Sequence, residues 1–499
     1  MKFFFLCDFK DLKYIIPEIF FLFSIFILVL FLLIFSFSKI YKYPLITTIS
    51  NCLTIFNLIL ILILLLNNIT IKSLLFNNVY LTNFGFSSLK CIIIFFTIIC
   101  LIVGLQYLKD ERINDFEYFI LLLFVTLGVI LLTSVNDFIL TYLTIEIQSL
   151  SLFVLVSLKK NTLYSTEAGL KYFILGSLSS IFLLFGFSLL YFIFGTTNFQ
   201  EISLLFFYNL SFNFYSILSF FSLIFILSGF FFKLSVVPLH MWLPDVYEGA
   251  PSIITLYMAV IPKIAFFFVI CRLLFLNFSS FFYNVKNIII IVSIFSIIVG
   301  SFMGIQQQKF KRLYSYSTIS HIGFILFGFS TGSLESLKTC LIYLFIYMIT
   351  SICLWGVLIS LRIKKKFTLG IFLSDYCSLF YINPVITFIF SLILLSLAGI
   401  PPLIGFWVKF LILIATMNSN YFFTSMIIIF ISSISTFYYL RIIKILYFND
   451  KFYLNLISFN QIKKENAIIL SFFFIFLINL MVYPNFIIIF VNKVVFSIF

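Results

Sequence analysis

The stretch from Phe230 to Ala265, FFFKLSVVPLHMWLPDVYEGAPSIITLYMAVIPKIA, decides how the chain folds. Both ends of it are apolar runs of helix type, and each run contains one lysine, Lys233 or Lys263. A charged side chain near the middle of a bilayer costs about 2.5–3.5 kcal/mol. The same stretch contains several prolines, and a proline removes a backbone donor and breaks or kinks a helix. A membrane segment tolerates both features where it lines a polar interior of the protein.

The composition of the whole chain supports a membrane protein. Of the 499 residues, 63% are hydrophobic and only 10% are charged, whereas a soluble domain is about half apolar and about a quarter charged. We therefore predict an all-α polytopic membrane protein. The net charge of +14 is better explained by lysines and arginines that gather in loops on one side of the membrane than by a nucleic-acid surface. The basic residues form no continuous patch with stacking aromatic side chains.

Residue usage excludes several kinds of cofactor site and points to a genome type. The eight cysteines form no CxxC pair and there are two histidines, His240 and His321. This pattern is poor for a disulfide framework, an iron–sulfur cluster, a zinc site or a bis-histidine haem, so we expect no metal site. The 75 phenylalanines and 27 tyrosines indicate an A+T-rich genome, which favours an organelle over a bacterium.

About twenty apolar residues span a bilayer, and on that criterion the sequence predicts about fourteen spans. The segment 200–213 is too short and mixed to span and is predicted to be an interfacial helix or part of a link. The predicted spans are 14–37, 44–66, 87–107, 116–134, 136–157, 165–195, 216–238, 250–274, 283–305, 313–331, 335–361, 384–414, 420–446 and 467–492.

The basic residues are consistent with this count. Loops after odd-numbered spans contain about eighteen of them, and the tails, loops and helix ends of the other side contain about nine, Lys90 and Arg272 among these. Both termini are therefore predicted to lie on the side opposite the positive loops. The four remaining basic residues are lysines inside predicted spans, at positions 171, 233, 263 and 409.

The prolines predict an internal repeat. Six of the ten prolines lie between residues 238 and 262 or in AGIPPLIGFWVKF, at Pro401 and Pro402. The two places are five spans apart, and units of five helices alternate in direction. Inverted repeats with broken helices are a common design in proteins that move ions. The predicted units are an N-terminal segment 1–115, two inverted five-helix repeats 116–274 and 283–446, and a C-terminal segment 447–499, with helix breaks at Pro238, Pro262, Pro401 and Pro402.

The lysines inside spans are candidate proton carriers. Desolvation disfavours a buried ammonium, so such a group takes up and releases protons near neutral pH. Lys233 and Lys409 lie in the two helices predicted to be broken, and Lys263 lies near mid-membrane. The alternative for Lys233 is a side chain that extends along the helix to reach the headgroups.

Three further residues extend the predicted proton pathway. Glu146 lies in the middle of a span and would pair most simply with Lys233, which would stabilise the ammonium. Lys171 is four residues after Glu167, so it is either part of the pathway or one half of an intrahelical pair. His321 is in the second helix of the second repeat and can relay protons near neutrality, unless it is a hydrogen-bonded packing residue.

A polar group lies at the predicted helix boundary after Lys233. His240, Asp245 and Glu248 either admit protons from the positive side or cap the break. The basic run Arg362–Lys366 is predicted to be a solvated topological signal.

These motifs resemble a known family. FKLSVVPLHMWLPDVYEGAP followed by AVIPKIA, together with EIQSLSLFVL, STEAGLKYFILGS, YSTISHIGF, AGIPPLIGFWVKF and an early PEIF, resembles NADH dehydrogenase subunit 2. This family provides antiporter-like membrane subunits of respiratory complex I, NADH:ubiquinone oxidoreductase. The motifs cover nearly the whole chain, and Lys409 stands where the related subunit 4 has an acid.

The resemblance implies a proton-pumping role within a larger complex. It implies that Glu146, Lys171, Lys233, Lys263 and Lys409 belong to the proton pathway, and that NADH, flavin, iron–sulfur clusters and ubiquinone are used by other subunits. Partners would be other membrane subunits, antiporter-like ones included, and lipids; no nucleic acid is expected. The implied location is the mitochondrial inner membrane, with the termini in the intermembrane space, or else a bacterial plasma membrane. Two alternatives stay open: an Mrp-type cation/proton antiporter, and an assembly scaffold that does not pump.

Overall fold

The computed structural model describes residues 9–35, 47–111, 113, 116–209, 213–362, 370–377, 379–448, 459 and 462–498. These residues are almost entirely helical, with one short hairpin of β1 (Ser73–Leu75) and β2 (Tyr80–Thr82). The α-helices are α1 Phe9–Phe35, α2 Thr47–Asn67, α3 Phe84–Asp110, α4 Glu117–Ser134, α5 Phe138–Val156, α6 Leu163–Phe194, α7 Phe199–Asn209, α8 Asn213–Leu234, α9 Trp242–Gly249, α10 Ser252–Arg272, α11 Phe282–Gln306, α12 Phe310–Phe329, α13 Leu334–Ser360, α14 Leu379–Ile382, α15 Pro384–Ala398, α16 Ile404–Asn418, α17 Phe422–Phe448, α18 Lys464–Val482 and α19 Asn485–Ile498.

The helix lengths confirm the predicted fold class. Within the described residues, twelve helices are long and apolar enough to cross a membrane, and three shorter apolar helices cover Pro384–Ala398, Ile404–Asn418 and Asn485–Ser497. The chain is therefore a multi-pass helical membrane protein. The total of fourteen spans stays a prediction, as does the division into two inverted repeats.

One predicted span differs from the observed helices, whereas a short segment has the predicted length. The span predicted at 467–492 is two helices, α18 and α19, which are separated at Tyr483 and Pro484. Proline has no N–H to donate and disfavours helical geometry in the residue before it, so a helix ends there. The segment 200–213 includes α7, an eleven-residue helix, which is too short to span a bilayer.

Helices α10 and α13 form the centre of the bundle. Every residue of α10 from Ser252 to Arg272 is buried, the apolar window of α13 is also fully buried, and the two helices pack against each other. A helix that is apolar on all faces is stable only when it is enclosed by other helices. Helices α1 and α18 are mostly exposed in comparison, so they lie at the periphery.

The first break, residues 235–241, begins with a Schellman motif at the end of α8. Ser235 has a left-handed backbone with φ of 59°, its N–H donates to the carbonyl of Phe232, and the N–H of Val236 donates to the carbonyl of Phe231. These bonds satisfy carbonyls that the end of the helix would otherwise leave unpaired. The indole Nε1 of Trp242 then donates to the Phe232 carbonyl at 3.0 Å, which fixes α9 beside the end of α8.

The second break, residues 399–403, uses the same motif. Gly399 has φ of 82°; its N–H donates to the carbonyl of Ser396 and the N–H of Ile400 donates to the carbonyl of Leu395. Glycine adopts this left-handed conformation without strain. In both breaks a proline with a cis peptide bond, Pro238 or Pro402, follows three residues after the left-handed residue.

The helix break predicted at Pro262 is wrong. Pro262 lies inside α10, which continues to Arg272. A single proline removes one backbone hydrogen bond, and a membrane helix tolerates this loss where neighbouring helices enclose it. Pro238, Pro401 and Pro402 differ because each lies just after a Schellman motif.

The close approach of α16 to α15 gives a first testable prediction. A Cβ added to Gly405 would lie 1.7 Å from the carbonyl oxygen of Ser396, so Gly405→Ala cannot fit unless one helix moves. We expect a loss of stability at or above the roughly 1–3 kcal/mol typical of overpacking, measured as thermal unfolding of the intact protein. The control is Gly356→Ala, whose Cβ would meet only the end of the Leu470 side chain at 2.9 Å. Equal unfolding of the two variants would contradict the observed position of α16.

Candidate functional site

Lys263 lies at the centre of the site. Its side chain is 5% exposed, and its Nζ has no hydrogen-bond partner among the described residues. Two tyrosine rings face the ammonium, Tyr247 of α9 at 6.0 Å and Tyr347 of α13 at 5.7 Å from their centroids. Cation–π contacts of this kind compensate only part of the desolvation cost of a charge. Lys263 is therefore a buried cation for which two aromatic rings are the contacts found among the described residues.

Lys409 and His321 line one cavity. Lys409 lies on α16 and its Nζ donates to the carbonyls of Leu397 at 3.1 Å and Ala398 at 2.8 Å, at the end of α15. These carbonyls carry the negative end of the helix dipole, which favours a cation. A cavity of about 20 Å³ lies between Lys409, His321 and Tyr347, and this volume is enough for a water molecule. Tyr347 lines this cavity and its ring also faces Lys263, so Tyr347 lies between the cavity and that lysine.

His321 is held by two tyrosines. Its Nδ1 is 2.6 Å from the hydroxyl of Tyr343 and its Nε2 is 3.1 Å from the hydroxyl of Tyr439. A neutral imidazole donates from one ring nitrogen and accepts at the other, so both contacts are satisfied without a positive charge. A neutral His321 therefore satisfies both tyrosine hydroxyls, donating to one and accepting from the other.

Lys233 and Glu146 lie near each other, but the predicted direct ion pair is not formed. Lys233 is buried at the end of α8, and its Nζ has no hydrogen-bond partner among the described residues. Its nearest ring contact is Phe153, at 5.9 Å from the centroid. Glu146 is half-buried on α5 and interacts with Lys233 only at longer range. Its Oε2 accepts a long hydrogen bond of 3.4 Å from Ser149.

Lys171 belongs to a separate, partly exposed ion-pair network. Its side chain is 43% exposed and pairs with Glu167 at 2.7 Å and with Asp245 at 2.9 Å. Arg312 of α12 connects Asp245 at 2.7 Å to Glu248 at 3.0 Å, and Lys309 also pairs with Glu248. These residues line a polar pocket of about 260 Å³. Lys171 is therefore not buried beside Lys263 and Lys409. Its predicted intrahelical pair with Glu167 is formed, and the pair with Asp245 was not predicted.

The segment from the first break to α9 provides the other polar groups of the pocket region. Burial raises the pKa of the Asp245 carboxyl, but hydrogen bonds from Lys171 and Arg312 outweigh it and hold the pKa below its ordinary value. Asp245 is therefore a carboxylate at neutral pH. His240 is buried beside the break, where its Nδ1 is 3.3 Å from the Pro238 carbonyl, and burial lowers the pKa of its imidazole.

Three buried charges were not recognised as such from the sequence. The sequence predicts loop or helix-end positions on the less basic side for Lys90 and Arg272 and a solvated run for Arg362, yet all three side chains are buried. Arg362 forms an ion pair with Asp110 at 2.5 Å, and the rest of its run lies outside the described residues. Arg272 donates to the backbone carbonyls of Thr133 and Val135. A hydropathy count assigns a charged residue within a few residues of a helix end to the adjoining loop. The burial of Lys90, Arg272 and Arg362 could therefore not be predicted in this way.

The fold and the buried row together define a class of protein. A helical bundle with two broken helices and buried cationic side chains, Lys233, Lys263 and Lys409 among them, is a membrane protein that holds charge in its interior. Residues 135–435 match the model of the NADH:quinone oxidoreductase/Mrp antiporter membrane family. The chain belongs to this family, and the resemblance predicted from its motifs is confirmed.

Individual relatives cover most of the chain. It is 40% identical over 379 residues to NADH-quinone oxidoreductase subunit N of Paramagnetospirillum magneticum, covering 75% of this chain and 77% of that one. It is 34% identical over 480 residues to NADH-ubiquinone oxidoreductase chain 2 of Marchantia polymorpha, covering 95% and 96%. Its fold is similar to that of a chain in respiratory complex I from Thermus thermophilus, with a TM-score of 0.77, 23% identity and coverage of 95% and 98%.

Proposed function

We propose that this chain translocates protons as a membrane subunit of NADH:quinone oxidoreductase, respiratory complex I. The observation that carries the proposal is the row formed by Lys263, Tyr347, His321 and Lys409, in which the cavity adjoins the last three and Tyr347 faces Lys263. Relatives that cover at least three quarters of the chain bear the names of subunits of this enzyme.

The row can move a proton in single steps. An ammonium on Lys263 has no counter-charge among the described residues within hydrogen-bond reach, so loss of its proton removes the cost of a buried charge. The proton passes from Lys263 by way of Tyr347, which faces Lys263 and lines the cavity, and the imidazole of His321 or the amine of Lys409 takes it up next. The two carbonyls that accept from Nζ of Lys409 lie at the negative end of the α15 dipole and stabilise a positive charge there, so we assign the resting position of the charge to Lys409.

The network around Lys171 is the proposed access point from the side of the positive loops. Its acids, Asp245 and Glu248, face a polar pocket of about 260 Å³ and are held by cations from α6 and α12. Lys233 lies in the last turn of α8, just before the first break, and His240 lies within that break. We assign the first uptake of a proton to these groups, with Glu146 tuning the charge on Lys233 at long range.

The energy for this movement would come from other subunits. The sequence has no nucleotide-binding loop and no cluster-ligand pattern, so we assign NADH, flavin, iron–sulfur and ubiquinone chemistry to partner chains of the complex. Other membrane subunits, including antiporter-like ones, and lipids would cover the exposed apolar faces of the outer helices. We place the protein in the mitochondrial inner membrane, because 75 phenylalanines fit an A+T-rich organelle genome, with both termini in the intermembrane space.

A cation/proton antiporter is the second candidate, because the matched family model covers Mrp antiporters as well. The two functions are separated by placing the purified complex in liposomes and following pH inside them. We expect acidification or alkalinisation to depend on NADH-driven quinone reduction and to be the same in choline, sodium and potassium media. A pH change driven by a sodium or potassium gradient without quinone reduction would establish the antiporter instead.

A further inference from the structure

Helix α9 lies between the polar pocket and Lys263. Asp245 and Glu248 of α9 line the pocket, and because they are three residues apart they share one face of the helix. Tyr247 lies on another face, where it is fully buried, and the centroid of its ring is 6.0 Å from Nζ of Lys263. This eight-residue helix therefore directs two acids toward the pocket and one tyrosine toward the buried lysine.

The hydroxyl of Tyr247 is unpaired. It is buried and has no hydrogen-bond partner among the described residues, and the same is true of Nζ of Lys263. A buried tyrosine usually has its hydroxyl hydrogen-bonded, because a buried polar group without a partner retains the full cost of leaving water. The four-carbon stem of a lysine is flexible. The hydroxyl and the amine are therefore free to form a hydrogen bond that this structure does not contain.

A second tyrosine lies between Tyr247 and the pocket. Tyr314 of α12 is buried, and its hydroxyl also has no partner within the part of the chain that the structure describes. Tyr247 interacts with it electrostatically. Tyr314 is two residues after Arg312, whose side chain lines the pocket. Unpaired hydroxyls of α9 and α12 therefore lie on the way from the pocket to Lys263.

We propose that Tyr247 is a proton-transfer residue between the polar pocket and Lys263. This rests on the proposed function and gives Lys263 a supply of protons from the side of the positive loops. A proton from hydronium in the pocket reaches the Tyr247 oxygen by way of the Tyr314 hydroxyl, and the original Tyr247 proton passes to the amine of Lys263. One O–H bond of Tyr247 forms as the other breaks, and one N–H bond forms on Lys263. A tyrosine hydroxyl both donates and accepts, so Tyr247 is neutral before and after the step.

The alternative is a ring that only packs. Such a ring would not need the hydroxyl, since phenylalanine fills nearly the same space without an unpaired polar group. The variant Tyr247→Phe separates the two roles, because it removes the hydroxyl and keeps the ring that faces Lys263.

The test is made on the intact complex in liposomes during NADH-driven quinone reduction. We expect transfer to Lys263 to slow by about a hundredfold in Tyr247→Phe, so the number of protons pumped per electron falls. The temperature of thermal unfolding should stay the same or rise, because an unpaired buried polar group has been removed. A purely structural role would not lower the pumping ratio in a complex of undiminished stability.

Tyr257→Phe is the matched control. Tyr257 of α10 is also buried, with a hydroxyl that has no partner among the described residues. It is six residues before Lys263, so it lies on a different face of the helix, and its variant should pump with the ratio of the unmodified complex.

Two results would overturn the proposal. One is a pumping ratio in Tyr247→Phe equal to that of Tyr257→Phe. The other is failure of Tyr247→Phe to assemble, which would show that the hydroxyl holds a bond on which the fold depends. Lys263→Met distinguishes these results from failure of the proposed function. Lost pumping in Lys263→Met with normal pumping in Tyr247→Phe removes only the role of Tyr247, whereas normal pumping in Lys263→Met counts against the proposed function itself.

Discussion

Replacing Lys263 with methionine is expected to abolish proton translocation through this chain while the complex still assembles. Methionine fits the apolar surroundings of Lys263, removes an unneutralised ammonium and so does not destabilise α10. A positioned acid–base group contributes about 10²- to 10⁴-fold to a proton-transfer step, so the step should slow by about a hundredfold or more. The measurement is the number of protons pumped per electron by the complex in liposomes.

Lys286→Met is the matched control for this variant. Lys286 lies on α11, is partly exposed and stacks on Tyr283 at 3.6 Å from the ring centroid, so its loss should leave pumping unchanged. If Lys263→Met assembles and pumps with the same ratio as the unmodified complex, Lys263 is not a proton carrier. The scaffold alternative would then be the better account of the buried lysines.

Replacing Lys409 with methionine is expected to cause two losses at once. The ammonium of Lys409 donates to two carbonyls at the end of α15, and a buried acceptor left unpaired costs about 1–3 kcal/mol. The proton carrier at the end of the row is lost as well. We expect lower thermal stability of the complex together with a fall in pumping of about a hundredfold or more.

Lys409→Arg separates these two effects. A guanidinium keeps donors for the two carbonyls but does not release its proton in a protein. We therefore expect stability nearer that of the unmodified complex with pumping still lost. Restoration of both properties by arginine would mean that Lys409 serves only to cap α15.

The central features could be predicted from the sequence because each has a large energetic cost in a membrane. Lys263 and Lys409 were identified as charges inside long apolar runs, and the structure buries both. The breaks near Pro238 and Pro401 were recognised from proline clusters. The structure gives the positions of these residues, and their roles in proton transfer stay predictions.

Other features depend on contacts between helices that are distant in the sequence, and local sequence patterns do not show these contacts. Glu18 and Lys90 form a buried ion pair although they are 72 residues apart, so nothing local in the sequence marks them as a pair. Pro262 has the same local signal as Pro238, but α10 continues through it because neighbouring helices enclose it on every side. Lys171 and Glu146 are on apolar helices, and only the tertiary arrangement determines how far each is exposed.

The enclosure of α10 has a consequence for energy conservation. The ammonium of Lys263 has no standing hydrogen-bonded connection, through the described residues, to either surface. A permanent chain of hydrogen bonds across the membrane would let the membrane potential drive protons backward whenever the enzyme is not turning over. Because every residue of α10 is buried, Lys263 has no open path to solvent along its own helix, and this enclosure limits such backward flow.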